Sequence, residues 1–265
     1  MRSGAPAVRI PVLAYHALGD GPAPIWTSLD DFDAELEAFA NAGYRAIRLG
    51  HLVDVVRDGR TLPSRAFAIT FDDGYRSVYR EALPRLASRG WTATAFLVTS
   101  RCGGTNRWPG QAASVPEARL LDWDAAGELV DAGWELGAHG TTHAPLTALP
   151  LDRVEEEIAG SLEAIERRVG AGARVFAYPY GASDPGVRDI ARRFVRGAVG
   201  TGLGLVGARS DPFDLERIDA CYLSPRLVGR LERRSASARL QVRKWLRRVR
   251  RVRLQDWDGG FRPST

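Results

Sequence analysis

Short runs of β-forming apolar residues alternate with amphipathic helical stretches along most of this chain of 265 residues. Nothing else in the sequence constrains the fold as much. Strands are expected at 11–15, 44–49, 66–71, 91–98, 134–138 and 175–178, with another beginning at Ala198-Val199. Between the first two, Ser28 and Asp31 form a capping box ahead of Phe32, Leu36 and Phe39, and Gly43 stops that helix. Further helical stretches are expected at 52–56, 77–89, 122–132, 152–169 and 184–194. The clearest of them should be capped by Asp152 with Glu155, and it buries a stripe of Val154, Ile158, Leu162, Ile165 and Val169. In the last, Asp184 and Pro185 mark the start, and Val187, Ile190 and Phe194 are expected to face inward. A helix between successive strands makes those strands parallel. With 45% hydrophobic residues, the chain can bury a sizeable core. An α/β fold follows, its parallel sheet closed or nearly closed as a barrel.

In a parallel barrel the C-terminal ends of all strands share one rim. His16, Asp72 with Asp73, His139 with His143, and Pro179 with Tyr180 all fall just past expected strand ends. They are far apart in sequence and would converge there. Asp72-Asp73-Gly74 is also compatible with a plain turn, because Asp suits strand exits and helix caps. The histidines change the balance. Two imidazoles four residues apart can bind one divalent ion, and a carboxylate completes a site with positions left for water and substrate. The chain has only four histidines. Two spaced in this way at one strand end, with paired carboxylates at another, favour a site over packing.

The run Thr70-Phe71-Asp72-Asp73-Gly74-Tyr75, followed by His139 and His143, resembles the polysaccharide deacetylases of the NodB-homology group (carbohydrate esterase family 4). The resemblance extends from about Pro11 to Arg217. It includes Leu62-Pro63, Ala93-Thr94-Ala95-Phe96 and Tyr178-Pro179-Tyr180-Gly181, in the family's order and at family-like spacing. It implies a distorted, partly open (β/α) barrel of about seven parallel strands, occupying residues 1–225. It implies that Asp73, His139 and His143 hold one divalent metal ion, Zn2+ first, with Co2+, Ni2+, Fe2+ or Mn2+ as alternatives. Asp72 would be the general base, and Tyr180 would help bind the oxyanion through its backbone N–H. The implied reaction removes N-acetyl groups from amino sugars of a polysaccharide, oligosaccharide or lipid-linked glycan. O-acetyl ester cleavage or N-deformylation would use the same machinery. A non-catalytic carbohydrate-binding protein on this fold is the rival from outside the enzymes.

Three positions depart from the commonest family pattern. No histidine follows His143, so the late Leu-x-His motif is missing. Tyr15-His16 resembles instead the subgroup acting on exopolysaccharide glucosamine polymers, and His16 becomes the candidate general acid. Ala177 stands where the family has an arginine that orients site groups. Gly140 replaces the usual Ser or Thr after the first metal histidine. Trp26, Trp108 and Tyr180, with Pro179, lie in or beside strand-end loops and are candidates for contact with sugar rings. His51, after a strand and away from the motifs, reads as structural or surface. Cys102 and Cys221 suggest neither a disulfide framework nor a thiolate metal site.

The formal charge of +5 is unevenly distributed. Between Arg226 and Arg253 lie twelve of the 37 Lys/Arg but one of the 32 Asp/Glu, so the rest of the chain is mildly acidic. Val242, Trp245, Val249 and Val252 fall at helical spacing among those arginines. Residues 226–265 are therefore expected to form a basic amphipathic helical tail, suited to peripheral contact with an anionic membrane surface or to packing on the acidic body. Nucleic acid is not expected as a partner. Residues 1–10 show no secretory signal pattern, and no apolar run is long enough to span a bilayer. The expected location is cytoplasmic, at the inner face of the membrane, with an acetylated glycan or glycolipid as substrate.

Overall fold

The computed structural model describes residues 8–229 and 231. Seven strands build the barrel: β1 (Val12–Tyr15), β2 (Ala66–Phe71), β3 (Thr94–Leu97), β4 (Glu135–Ala138), β5 (Val175–Ala177), β6 (Gly197–Leu203) and β7 (Leu215–Asp219). Each pairs in parallel with its successor. β7 pairs with β1, so the ring closes. The helices are α1 (Leu29–Asn41), α2 (Leu49–Arg57), α3 (Leu83–Ala87), α4 (Trp123–Asp131), α5 (Leu151–Val169), α6 (Pro185–Phe194) and α7 (Pro225–Val228).

Successive residues of a strand point to opposite faces, and this chain uses the alternation to build two apolar layers. Val12, Ala66, Ala68, Phe96, Val175, Ala177, Val199 and Leu215 belong to one cluster, inside the ring. Leu13, Phe67, Ile69, Phe71, Leu97, Leu136, Phe176 and Ile218 belong to the other, against Phe32, Leu36, Phe39, Leu129, Ile158 and Val187 of the surrounding helices. Helix α2 differs from its neighbours. Its Leu52, Val53 and Val56 join the inner cluster. Its first turn is tied to the starts of β3 and β4, since Leu49 N donates to Thr94 Oγ1 (3.3 Å) and Gly50 N to Glu135 Oε2 (2.9 Å). Asp54 accepts from Arg196, just before β6 (3.0 Å). The helix thus stoppers the end of the barrel opposite the strand-end rim, and the rim is left for chemistry.

Several expectations shift. The strand at 44–49 is reduced to Arg45–Ala46, paired with the start of β2, because Leu49 already begins α2. The helix at 77–89 is divided into a π-helical turn, Val78–Ala82, and α3. Leu83 N reaches back to Val78 O, and Pro84, with no N–H to donate, follows the widened turn. Asp152 does not cap α5. The helix starts at Leu151 with Pro150 in the cap position, so Asp152 lies inside the first turn and accepts from Arg153 N. Phe194 does not face inward; it is 37% exposed, with the Arg193 guanidinium over its ring. Cys102 and Cys221 are not joined in a disulfide. Val228 and Leu231 are buried in the main core, and α7 packs on α1. The basic amphipathic stretch from Val242 onward lies outside the described residues. No helix among the described residues is long and apolar enough to cross a membrane.

One buried carboxyl gives a stability prediction. Glu35 of α1 is 4% exposed and accepts a hydrogen bond from the Tyr15 hydroxyl (2.7 Å). Burial pushes its pKa from an ordinary 4.5 up to about 7, with Asp31 adding to the rise and the Tyr15 bond opposing it. The folded state therefore holds the proton more tightly, and stability falls as pH rises from about 4.5 through 7. Glu35→Gln keeps an acceptor for Tyr15 without the charge. It is expected to stabilise the protein by about 2–3 kcal/mol at pH 8, with the gain fading at pH 5. Thermal melts of both proteins at the two pH values test this, and an equal difference at both would contradict it.

Candidate metal centre

Thr70 and Asp72 share strand parity with Ala66 and Ala68, so they point into the barrel. At the strand end the chain turns at Asp73 (φ 68°) and Gly74 (φ 72°). Asp enters the left-handed region more readily than most residues. The turn sends the Asp73 carboxylate toward the histidines that follow β4. Its Oδ1 lies 3.3 Å from His139 Nε2 and 3.2 Å from His143 Nε2.

His139 is oriented by its other nitrogen, which lies 2.7 Å from the Ala177 carbonyl of β5. A carbonyl only accepts, so Nδ1 carries the hydrogen and Nε2 presents a lone pair. His143 (φ 68°) is held by rings, with Trp108 at 4.3 Å and Tyr180 at 4.6 Å between centroids. Its buried Nδ1 has no hydrogen-bond partner among the described residues. The turn between the two histidines rests on Glu157 of α5, whose carboxylate accepts from Thr141 N, Thr142 N and Thr142 Oγ1. Gly140 (φ 79°) sits tightly there; a Cβ would come within 3.0 Å of Glu157 Oε2.

Asp73, His139 and His143 are buried, and one ligand atom from each lies within 4.8 Å of the others. The arrangement fits a divalent cation. A carboxylate oxygen and an imidazole lone pair aimed at the same point repel unless a positive charge lies between them. Burial alone would raise the Asp73 pKa, but protons on the two adjacent imidazoles outweigh it and hold the carboxyl well below the usual carboxylate range; a cation in their place would do the same. Burial lowers the His143 pKa despite Asp73. The site therefore keeps its carboxylate ionised and draws positive charge toward it, and the donor set is one that zinc and similar ions accept.

Asp72 has a different partner. Arg217, pointing inward from β7 and 3% exposed, donates Nη1 to Oδ1 and Nη2 to Oδ2, both at 2.7 Å. Its Nε donates to Gly200 O (2.9 Å), and Nη1 also reaches Thr70 Oγ1 (3.0 Å). Burial would raise the Asp72 pKa, but Arg217 outweighs it and the pKa is lowered. Ala177 thus leaves no gap in the site's charge balance, because an arginine arrives from another strand. His16, at the end of β1, places Nε2 at 3.9 Å from Asp72 Oδ2 and is partly exposed.

Tyr180 adopts φ 58°, ψ 7° in the short turn Pro179–Gly181. Among the described residues, three of the four non-glycine residues with positive φ are thus Asp73, His143 and Tyr180, all in this site. Such clustering of backbone strain is common at functional sites. The Tyr180 ring is 43% exposed above His143, whereas Pro179 is buried under the turn. Trp108 is buried against His143. Trp26 lies further along the rim, against Tyr75 (5.6 Å). His51 is exposed on α2, at the opposite end. The sequence reading missed Arg217 and Glu157. Each is a charged residue at a buried position of its strand or helix, where burial demands a partner.

A sequence profile described as polysaccharide deacetylase matches residues 59–195. The closed parallel barrel with its rim of carboxylates and imidazoles accords with that match. The chain belongs to the polysaccharide deacetylase family. Among relatives, the Bacillus subtilis (strain 168) protein YxkH is 22% identical over 173 residues, 65% of this chain and 57% of its own length. The poly-beta-1,6-N-acetyl-D-glucosamine N-deacetylase of Escherichia coli (strain K12) is 37% identical over 51 residues, 19% of this chain and 8% of its own. The chain therefore spans little more than half of the first relative and a small part of the second. In fold, it resembles the Streptococcus pyogenes deacetylase PplD (TM-score 0.70, 23% identity, 80% of this chain and 92% of that one). It is also similar to IcaB from Ammonifex degensii (TM-score 0.69, 23% identity, 85% and 96%).

Proposed function

We propose that this protein is a metal-dependent N-deacetylase of amino sugars in a glycan. The observation that carries the reading is the convergence of Asp73, His139 and His143 on one point beside an Asp72 that Arg217 keeps ionised. A divalent ion held by the three ligands would supply a Lewis acid that polarises the acetamide carbonyl and acidifies water. Asp72 is the base that takes a proton from the attacking water. Arg217 holds that carboxylate in one orientation. The Tyr180 N–H, in its strained turn, donates to the developing oxyanion. His16, across the Asp72 carboxylate, delivers the proton that the departing amine needs. Tyr180 and Trp26 present aromatic faces on which sugar rings can stack. We assign this chemistry to residues 1–225, with the basic tail from 226 contributing contact with an anionic membrane surface.

Acetate release from N-acetylated chito-oligosaccharides, with and without chelation, tests the reading. Acetylated xylan and N-formyl amino sugars are run in parallel. The expected result is release from the N-acetylated substrates, lost on chelation. Cleavage of O-acetyl esters alone would make the protein an esterase. Glycan binding without acyl turnover would make it a binding protein.

A further inference from the structure

A cavity of about 360 Å³ is lined by residues that directly follow His16 and the Asp73-Gly74 turn. Ala17 and Leu18, next to His16, line one side, and Tyr75, two residues beyond Asp73, lines another. Trp26 packs on Tyr75, and Arg76, Arg80 and Arg119 complete the polar lining with Glu81 and Ser77.

The wall is built from three segments, and each is tied in place. Leu18 N donates to Ser77 Oγ (3.0 Å), joining the β1 exit to the turn after Asp73. The long connection after β3 is organised by Asn106, which is fully buried. Asn106 donates to Tyr75 Oη and Pro116 O and accepts from Ala118 N (2.8 Å). Arg76 N donates to Arg119 O (2.9 Å), which seats Arg119 over the cavity. Gly21 lets the Trp26 ring lie against its own loop, since a Cβ there would meet the indole at 2.3 Å.

The charges are not balanced. Arg76 is neutralised by Asp122, and Glu81 is held by Arg85 at 2.9 Å. Arg80 and Arg119 are exposed and have no ion-pair partner among the described residues. The body of the chain is otherwise acidic, so two unpaired guanidiniums beside aromatic rings, next to the reacting centre, stand out. Guanidinium groups match carboxylate and phosphate in bidentate geometry, and aromatic faces suit sugar rings.

We propose that this cavity binds a saccharide unit carrying an acidic substituent, carboxylate or phosphate, adjacent to the N-acetylated sugar. The preferred substrate is then an anionic glycan. The inference rests on the deacetylase reading and narrows its substrate class.

The test compares kcat/KM for chitotetraose with that for a tetrasaccharide alternating N-acetylglucosamine and glucuronic acid. A phosphodiester-linked N-acetylglucosamine disaccharide forms a third arm, and separates phosphate from carboxylate as the recognised group. The metal-loaded wild type is expected to favour at least one acidic substrate by about five- to tenfold at low salt, and the ratio should fall toward one at high salt. In the Arg80→Ala/Arg119→Ala double variant, and in Arg119→Glu, the ratio should collapse at low salt as well. A wild-type ratio near one, or a ratio unchanged in both variants, overturns the proposal while leaving N-deacetylation intact. If no substrate is deacetylated, the deacetylase reading itself fails. The cavity is then tested by calorimetric binding of the two acidic oligosaccharides. Weaker binding to the double variant supports it, and equal or absent binding overturns it.

Discussion

Arg217→Ala is expected to lower both stability and turnover, the former by about 3–5 kcal/mol and the latter by about a hundredfold. The stability loss follows from what remains. Asp72 is 4% exposed, and its two carboxylate oxygens take their hydrogen bonds from Arg217. Without the guanidinium, a buried carboxylate loses the paired hydrogen bonds that neutralise it, and Thr70 and Gly200 lose a donor as well. Breaking one side of a buried pair is costly for this reason, even where the intact pair contributes little net stability. For a chain of this size the change corresponds to a fall in Tm of roughly 10 °C. The turnover loss has a separate origin. Arg217 holds Asp72 in one orientation, and a base that wanders loses its alignment with the attacking water. Arg217→Lys separates the two effects, because lysine keeps the charge but cannot form the paired bonds. It should recover much of the stability and little of the rate. Wild-type melting and turnover in Arg217→Ala would show that the pair is incidental.

The path from sequence to this pair shows where reading the chain succeeds and where it stops. The strand–helix alternation identifies a parallel barrel, because the period of apolar residues is a local property. The rim positions of Asp72, Asp73, His139 and His143 follow from the same pattern, since each lies just past an apolar run. Arg217 does not announce itself. It pairs with Asp72 across the closure between β7 and β1, and that contact is set by ring topology. From Ala177 alone, the site looks one arginine short; the structure draws the arginine from a different strand. Glu157 is hidden in a similar way, as a charged residue on the buried face of α5 whose partners are backbone N–H groups of a distant turn. The helix at 49–57 has an unremarkable amphipathic pattern, and nothing local distinguishes a barrel stopper from a flanking helix. Asp152 misled because its spacing to Glu155 suits a capping box, whereas Pro150 starts the helix earlier.

Asp72→Asn is the second substitution with a large expected effect. It should lower acetate release by about a thousandfold, while leaving the metal bound. Asparagine fills the same space and accepts one of the two Arg217 bonds through its amide oxygen; the buried guanidinium loses its counter-charge, so the barrel is expected to fold with lowered stability. It cannot take a proton from water. The proposed metal ligands Asp73, His139 and His143 are untouched, which separates the proposed base from the ligand set. Asp73→Ala should behave differently and lose both metal and turnover, because it removes the only carboxylate among the three ligands. If Asp72→Asn lost its metal and Asp73→Ala kept it, the two carboxylates would have exchanged roles.

The most direct measurement is the metal content of the purified chain, determined together with acetate release before and after chelation. One divalent ion per chain is predicted for the wild type and for Asp72→Asn, and none for Asp73→Ala. Chelation should abolish wild-type turnover, and stoichiometric zinc should restore it. Full turnover from metal-free protein, or a bound ion that survives loss of Asp73, His139 and His143 together, would contradict the assignment of this centre.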